Sequence, residues 1–272
     1  MLKSIKTNIR KLIKKSGWEL VRSSILTQML HGIPTDYDVA HADTYQKVKD
    51  YTMTNSQRIV AICNATDYLT KNNIEGDIVG CGIWRGGAIM AAIDSLQKNE
   101  DVSREIYLYD TFEGMTTPAH QYDIKKGGNS GLGKTAEELY KTATAADLIF
   151  CYSSLEEVKQ NIESLNYPAG KIHYVKGMVE DTIPKIISQK IALLYFNICF
   201  YESTLHALKY LFPLLVPGGV IIIGDYGDWE GTRKAVDEYI EINKIRLLLN
   251  RIDQTGRVGI KADPLVIPVK TL

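Results

Sequence analysis

Apolar positions along this chain recur with two periods. Beyond residue 76, short runs of neighbouring apolar residues alternate with longer stretches in which apolar residues return every three or four positions. Short continuous runs bounded by turn residues fit strands buried on both faces, and the longer spacing fits helices with one packed face. The pattern predicts strands over 77–81, 105–110, 172–176, 191–197, 219–224, 246–252 and 257–261. It predicts helices near 87–98, 135–145, 154–165, 179–188, 202–214 and 230–243. One more helix is expected from about Asn55 to Asn73, with Asn55 or Ser56 placed to cap it. Residues 31–54, rich in turn formers and tyrosine, read as an irregular approach segment.

At the start of the chain, Leu2, Ile5, Ile9 and Leu12 share one face of a basic amphipathic helix over residues 1–24, with lysines and arginines around the rest. The expectation is a solvated helix whose narrow stripe packs on its own domain or on a second subunit, which leaves a homodimer open. Strand–helix alternation argues for a parallel, doubly wound sheet covered on both faces. The last two strands are separated by Gln254-Thr255-Gly256 and should pair as an antiparallel hairpin. The expected fold is therefore α/β, with a doubly wound, seven-stranded, mostly parallel sheet and a C-terminal antiparallel hairpin. Residues 1–54 are expected to form the N-terminal helix and approach segment, and residues 55–272 the main domain. The connection over residues 111–134 is glycine-rich, weakly periodic and placed after a strand's C-terminal end, which is where lids over ligand sites are built.

Charge and composition remove several function classes. Lys+Arg and Asp+Glu balance at 32 each, so the whole chain carries no electrostatic footprint for nucleic acid. No apolar run is long enough to span a bilayer, and Met1–Arg22 lacks the apolar core and cleavage site of a signal peptide. Cys63, Cys81, Cys151 and Cys199 are scattered, and are expected to be reduced thiols in a cytoplasmic protein.

The chemistry concentrates in Gly76–Gly87, which reads G-D-I-V-G-C-G-I-W-R-G-G. Glycines in a turn after a strand let the backbone approach a ligand, and the helix that follows offers unpaired N–H groups to a carboxylate or phosphate. The spacing is not that of a dinucleotide fold. Asp110, at the end of the second strand, is placed to accept the hydroxyls of a ribose, or else to cap its own turn.

Longer strings carry a specific resemblance. The chain reads Y-T-M-T-N at Tyr51–Asn55, Y-L-Y-D-T-F-E-G-M at Tyr107–Met115 and V-K-G-M-V-E-D-T-I-P at Val175–Pro184. It continues with Y-E-S-T at Tyr201–Thr204 and P-G-G-V-I-I-I-G-D-Y-G at Pro217–Gly227. In this order, over roughly residues 40–262, these strings resemble the macrocin O-methyltransferase (TylF-type) family of class I, Rossmann-like methyltransferases, which use S-adenosylmethionine to methylate sugar hydroxyls in natural product biosynthesis. The resemblance implies that Gly82, Ile83, Trp84, Arg85 and Gly86 line the methionine part of the cofactor, and that Asp110, Thr111 and Phe112 hold the ribose. It places Ser153, Ser154 and Leu155 near the adenine, with Gly177, Met178 and Asp181, and has Met53 and Thr54 close the pocket.

Departures from the family pattern are as informative. The family has an acid where this chain has Gly80, and its magnesium ligands fall at Asn197, Cys199, Gly224 and Asp225, of which only Asp225 is an acid here. A site with one carboxylate and one amide should bind so hard an ion weakly, so magnesium is doubtful. Deprotonation of an acceptor hydroxyl then falls to a side chain, with Asp225, His120 and Glu202 as candidates. The sequence supports a small-molecule O-methyltransferase without the family's magnesium; alternatives are a repurposed S-adenosylmethionine-binding enzyme and an inactive partner subunit.

Overall fold

Six apolar residues in a row, Ile191–Phe196, are all buried and form the central strand of the sheet. The computed structural model describes Pro34 and residues 36–262, save 119, 127–132, 144–149 and 169. The expected basic helix over residues 1–24 lies outside the described residues.

The parallel strands are β1 (Asp77–Cys81), β2 (Ile106–Asp110), β3 (Ile172–Lys176), β4 (Ile191–Phe196) and β5 (Leu215–Ile223). Two short strands, β6 (Asn250–Arg251) and β7 (Arg257–Ile260), complete a seven-stranded sheet of order β3-β2-β1-β4-β5-β7-β6. β7 runs antiparallel to β5 and to β6, as the hairpin reading requires. The strand order reverses between β1 and β4, so their C-terminal ends form the crevice where open α/β sheets bind ligands.

The helices are α1 (Val39–Val48), α2 (Ser56–Lys71), α3 (Gly87–Lys98), α4 (Ala136–Thr142), α5 (Leu155–Glu163), α6 (Val179–Thr182), α7 (Tyr201–Leu211) and α8 (Glu230–Ile242). α3 is buried from Gly87 through Leu96, which explains its near-continuous apolar sequence. No described helix is long and apolar enough to cross a membrane.

Three expectations need correction. The approach segment is not irregular throughout, because α1 occupies its middle. The Asp38 carboxylate accepts from Ala40 N at 2.7 Å and caps it. Its buried face is His41, Thr44, Tyr45 and Val48, a helical spacing half of which is polar and so faint to a hydrophobic pattern. The helix expected over 179–188 stops at Thr182, because Ile183 is extended ahead of Pro184. The strand expected over 246–252 shrinks to Asn250–Arg251.

Asp94 of α3 docks α1. It accepts from Thr44 Oγ1 at 2.7 Å and Lys47 Nζ at 2.6 Å, and pairs with Lys98 Nζ at 2.8 Å. Burial pushes the Asp94 carboxyl up, but the bonds from Lys47, Lys98 and Thr44 outweigh it and hold the pKa below the ordinary 3.8. A depressed folded value stabilises the fold above pH 3.8, and that stability is lost as pH falls through the folded value. Asp94→Asn is expected to lower unfolding free energy at neutral pH by about 1–3 kcal/mol. Denaturant melts across pH should show the gap to wild type closing below pH 3.8; a constant gap would contradict this account.

Candidate active site

Asp110 ties three strand ends together. Its Oδ2 accepts from Ile83 N at 2.7 Å and Trp84 N at 3.2 Å, and its Oδ1 accepts from Phe112 N at 2.9 Å. Its backbone carbonyl accepts from Gly177 N, just past β3, at 3.0 Å. The turn it clamps winds through left-handed backbone at Gly82, Trp84 and Gly86, with φ of 73°, 49° and 92°. Gly82 is also a close-approach position, since a Cβ there would run into the Asn197 carbonyl at the end of β4. Burial pushes the Asp110 carboxyl above its ordinary 3.8, against the amide bonds from Phe112, Ile83 and Trp84. A carboxylate offers about four acceptor directions, so the residue expected to grip a ribose is already engaged with its own backbone.

Gly86 precedes α3, and no side chain caps that N-terminus. Unpaired first-turn amides of this kind attract carboxylates. The approach segment packs directly on it: a Cβ at Gly87 would sit 2.5 Å from Tyr51 O. Arg85 fastens both sides, donating from Nη1 to Asp50 O at 2.8 Å and from Nε to Glu157 Oε1 at 2.6 Å. Trp84 Nε1 donates to Tyr152 O at 3.2 Å, and Ser153 Oγ bonds Glu157 Oε2 at 3.0 Å. Ser154 caps α5, which opens at Leu155. Met53, Met178 and Asp181 are exposed, and Thr54 bonds Thr52 Oγ1. Among the expected cofactor residues, the turn 82–86 and Asp110–Phe112 are thus joined directly to each other, and Ser153–Leu155 are joined to them through Trp84 and Arg85.

Gly80, where the family has an acid, faces packing instead of a cleft. A Cβ there would meet Ile89 Cδ1 at 2.6 Å and Ile83 Cγ2 at 3.1 Å.

The strand ends β4 and β5 bring Asn197, Cys199, Gly224 and Asp225 together, as the resemblance implies. Cys199 Sγ lies 3.3 Å from Asp225 Oδ2, and a Cβ at Gly224 would run into Asn197 Oδ1. Asn197 Oδ1 is buried without a hydrogen-bond partner. Burial and the neighbouring Asp225 push the Cys199 thiol well above 9.0. Burial, with Asp228 second, pushes the Asp225 carboxyl above 3.8. Lys125 Nζ pairs with Asp228 Oδ2 at 2.6 Å and lies 5.0 Å over the Trp229 ring. The donors on offer are the Asp225 carboxylate, which is in no salt bridge, the Asn197 amide oxygen, a neutral thiol, and Oδ1 of Asp228, which is buried without a hydrogen-bond partner while Oδ2 holds Lys125. Magnesium wants an octahedron of oxygens, and among the described residues no group of three or more His, Cys, Asp or Glu is placed to hold a metal. The residues do not fit the ion.

His120 and Glu202 meet at the start of α7, with Nε2 and Oε1 3.9 Å apart. The His120 ring stacks on Tyr201 at 4.3 Å, and Asp123 accepts from both His120 N and Tyr201 N. Asp225 joins Cys199, whereas His120 and Glu202 form a separate cluster with Tyr201. The described part of the 111–134 connection is anchored. Lys125 bridges to Trp229, and Met115, Tyr140 and Cys199 pack against Ala136, Leu139, Phe200 and Trp229.

Sequence reasoning did not single out Arg58, Asp253, Lys125 or Asp228. Arg58 Nε and Nη2 donate to Asp253 at 3.0 and 2.9 Å across 195 residues of chain. A buried arginine in the first turn of a helix was the one available signal, and it looks the same in sequence as a solvated one.

Gly87→Ala must displace Tyr51 and Thr52. The expected cost is about 1–3 kcal/mol of stability, with faster amide exchange over residues 51–54. Unchanged exchange there would refute the packing of the approach segment on α3.

Comparison with known proteins agrees with this architecture. The profile of the macrocin-O-methyltransferase (TylF) family matches residues 36–258. The demethyldecarbamoylnovobiocin O-methyltransferase of Streptomyces niveus is 29% identical over 206 residues, covering 76% of this chain and 74% of that protein. The mycinamicin III 3''-O-methyltransferase of Micromonospora griseorubida is 26% identical over 209 residues, covering 76% of each. The solved O-methyltransferase NovP superposes with a TM-score of 0.65 at 26% identity, over 78% of this chain and 83% of that one. The calicheamicin methyltransferase CalS11, at 15% identity and a TM-score of 0.59 over 84% of this chain and 95% of that one, shares the fold. With its sheet, its clamped glycine turn and a family profile spanning α1 into β7, the chain belongs to the macrocin-O-methyltransferase (TylF) family.

Proposed function

We propose that this protein is an S-adenosylmethionine-dependent O-methyltransferase acting on a hydroxyl of a sugar or another natural-product small molecule. Family membership supports the reaction class, and the relatives named for O-methylation of natural products support the acceptor class. The observation that carries the reading is the glycine turn clamped by Asp110 in front of the uncapped N-terminus of α3.

The cofactor supplies an electrophilic methyl group on a sulfonium. The turn Gly82–Gly86, with Ile83, Trp84 and Arg85, would hold its methionine part, the free amides of α3 taking the carboxylate. Asp110 would accept one ribose hydroxyl beside its three backbone donors, in place of the long 3.5 Å contact from Thr111 Oγ1, with Phe112 alongside. Ser153, Ser154 and Leu155 on one side, and Gly177, Met178 and Asp181 on the other, would border the adenine. Met53 and Thr54 would close over it from the approach segment, and the 111–134 connection over the acceptor.

Deprotonation is assigned to this chain's own groups. Asp225 is the best-placed acceptor for the hydroxyl proton, since it ends β5 and is not paired with a cation through a salt bridge, unlike its neighbour Asp228. His120 and Glu202 would position the acceptor at the start of α7. In-line placement of the acceptor oxygen, by a site built on strand ends, supplies the largest share of the rate.

Titration calorimetry with S-adenosylhomocysteine tests the reading. Wild type should bind it saturably, and Asp110→Ala should weaken binding at least tenfold, in line with about 1.5–3 kcal/mol for a charged acceptor. No binding by folded wild type would sink the proposal; an unchanged affinity in a folded Asp110→Ala variant would remove Asp110 from the ribose.

A further inference from the structure

The ends of β4 and β5 carry a cation of the protein's own. Arg58, in the first turn of α2, is buried to 6% exposure, and its guanidinium reaches the space in front of Gly224. A Cβ at residue 224 would lie 3.1 Å from Arg58 Nη1 as well as running into Asn197 Oδ1. Any side chain there would displace one or the other, so the absence of a side chain at 224 and the presence of Arg58 form one arrangement.

The guanidinium is fixed on its far side. Asp253 takes Nε and Nη2, and Thr255 Oγ1 accepts from Nη2 at 2.6 Å. Asp253 Oδ1 also accepts from Thr255 N at 2.9 Å and Gly256 N at 2.6 Å, which locks the carboxylate into the β6–β7 turn. A Cβ at Gly256 would come within 2.9 Å of Arg58 Nε, so the turn closes on the guanidinium. Arginine keeps its charge at any accessible pH and offers a rigid planar fork. Of the nearby carboxylates, Asp253 is taken by Arg58 and Asp228 by Lys125, which leaves Asp225 without a salt bridge. One such carboxylate, beside a buried guanidinium, suits a proton acceptor and repels a dication.

We infer that Arg58 occupies the place of the family's divalent metal and that this chain binds cofactor and works without one. Arg58 is a positioning and charge-supplying group here, held by Asp253. The inference deepens the proposed methyl-transfer reading and rests on it for the role of the site, but its test reads metal directly.

Full-length protein is titrated with manganese chloride, followed by electron paramagnetic resonance, alone and with S-adenosylhomocysteine. S-adenosylhomocysteine affinity is measured by calorimetry with and without EDTA. No saturable manganese site, and the same affinity in EDTA, are expected. A site filling at one ion per chain, or affinity lost in EDTA, would overturn the inference. A wild type that takes up neither manganese nor S-adenosylhomocysteine would sink the proposed function and the cofactor half of the inference, and leave the exclusion of the metal standing. A second arm replaces the cation with a neutral amide and adds one acid beside Asp225, Arg58→Gln with Asn197→Asp. If it remains folded by circular dichroism, manganese affinity should rise at least tenfold over Arg58→Lys; no rise would overturn the claim that Arg58 excludes the ion. If it does not fold, the wild-type titration decides.

Discussion

One buried carboxylate governs the ligand end of this sheet. Asp110 gathers backbone N–H groups from the turn after β1 and from its own turn, while its carbonyl receives the amide that follows β3. Turns in left-handed backbone are poor at satisfying their own amides, and amides left unsatisfied near a buried sheet end are costly. The clamp answers that need and, by the same bonds, sets where the backbone curves away to leave room for a ligand. The stability and the shape of this turn therefore depend on the same side chain.

A second ionic contact organises the opposite half of the crevice. The Arg58–Asp253 pair joins α2 to the C-terminal hairpin, and both partners are almost fully buried. Buried pairs of this kind add little net stability but do fix geometry, because neither partner tolerates loss of the other. Here the pair brings a permanent positive charge to strand ends that hold Asp225, Asn197 and Cys199. Lys125 does the same for Asp228 from the long connection after β2. The crevice thus has one half built on the turn that Asp110 clamps and another in which Arg58 and Lys125 pair with Asp253 and Asp228, leaving Asp225 without a salt bridge.

The departures from the family pattern are explained by their neighbours. Gly80 has no acid because Ile89 and Ile83 fill the space in front of it, and Gly224 has none because Asn197 and Arg58 do. Each glycine is matched by a partner that takes the vacated volume.

Sequence alone determined the four strands at the heart of the parallel sheet, the long helices from α2 onward, the doubly wound order with its closing hairpin and the glycine turn with Asp110. These are written in local periodicity and in contiguous strings, and local patterns survive being read one residue at a time. α1 escaped because two residues of its buried face, His41 and Thr44, are polar and find partners only in Asp67 of α2 and Asp94 of α3 once the helices pack. The three backbone bonds that occupy Asp110, the meeting of His120 with Glu202, and the arrival of Arg58 beside Gly224 belong to the tertiary structure. Arg58 and Asp253 are 195 residues apart, and what an arginine means, solvated charge or resident cation, is settled by which residues surround it once the chain has folded.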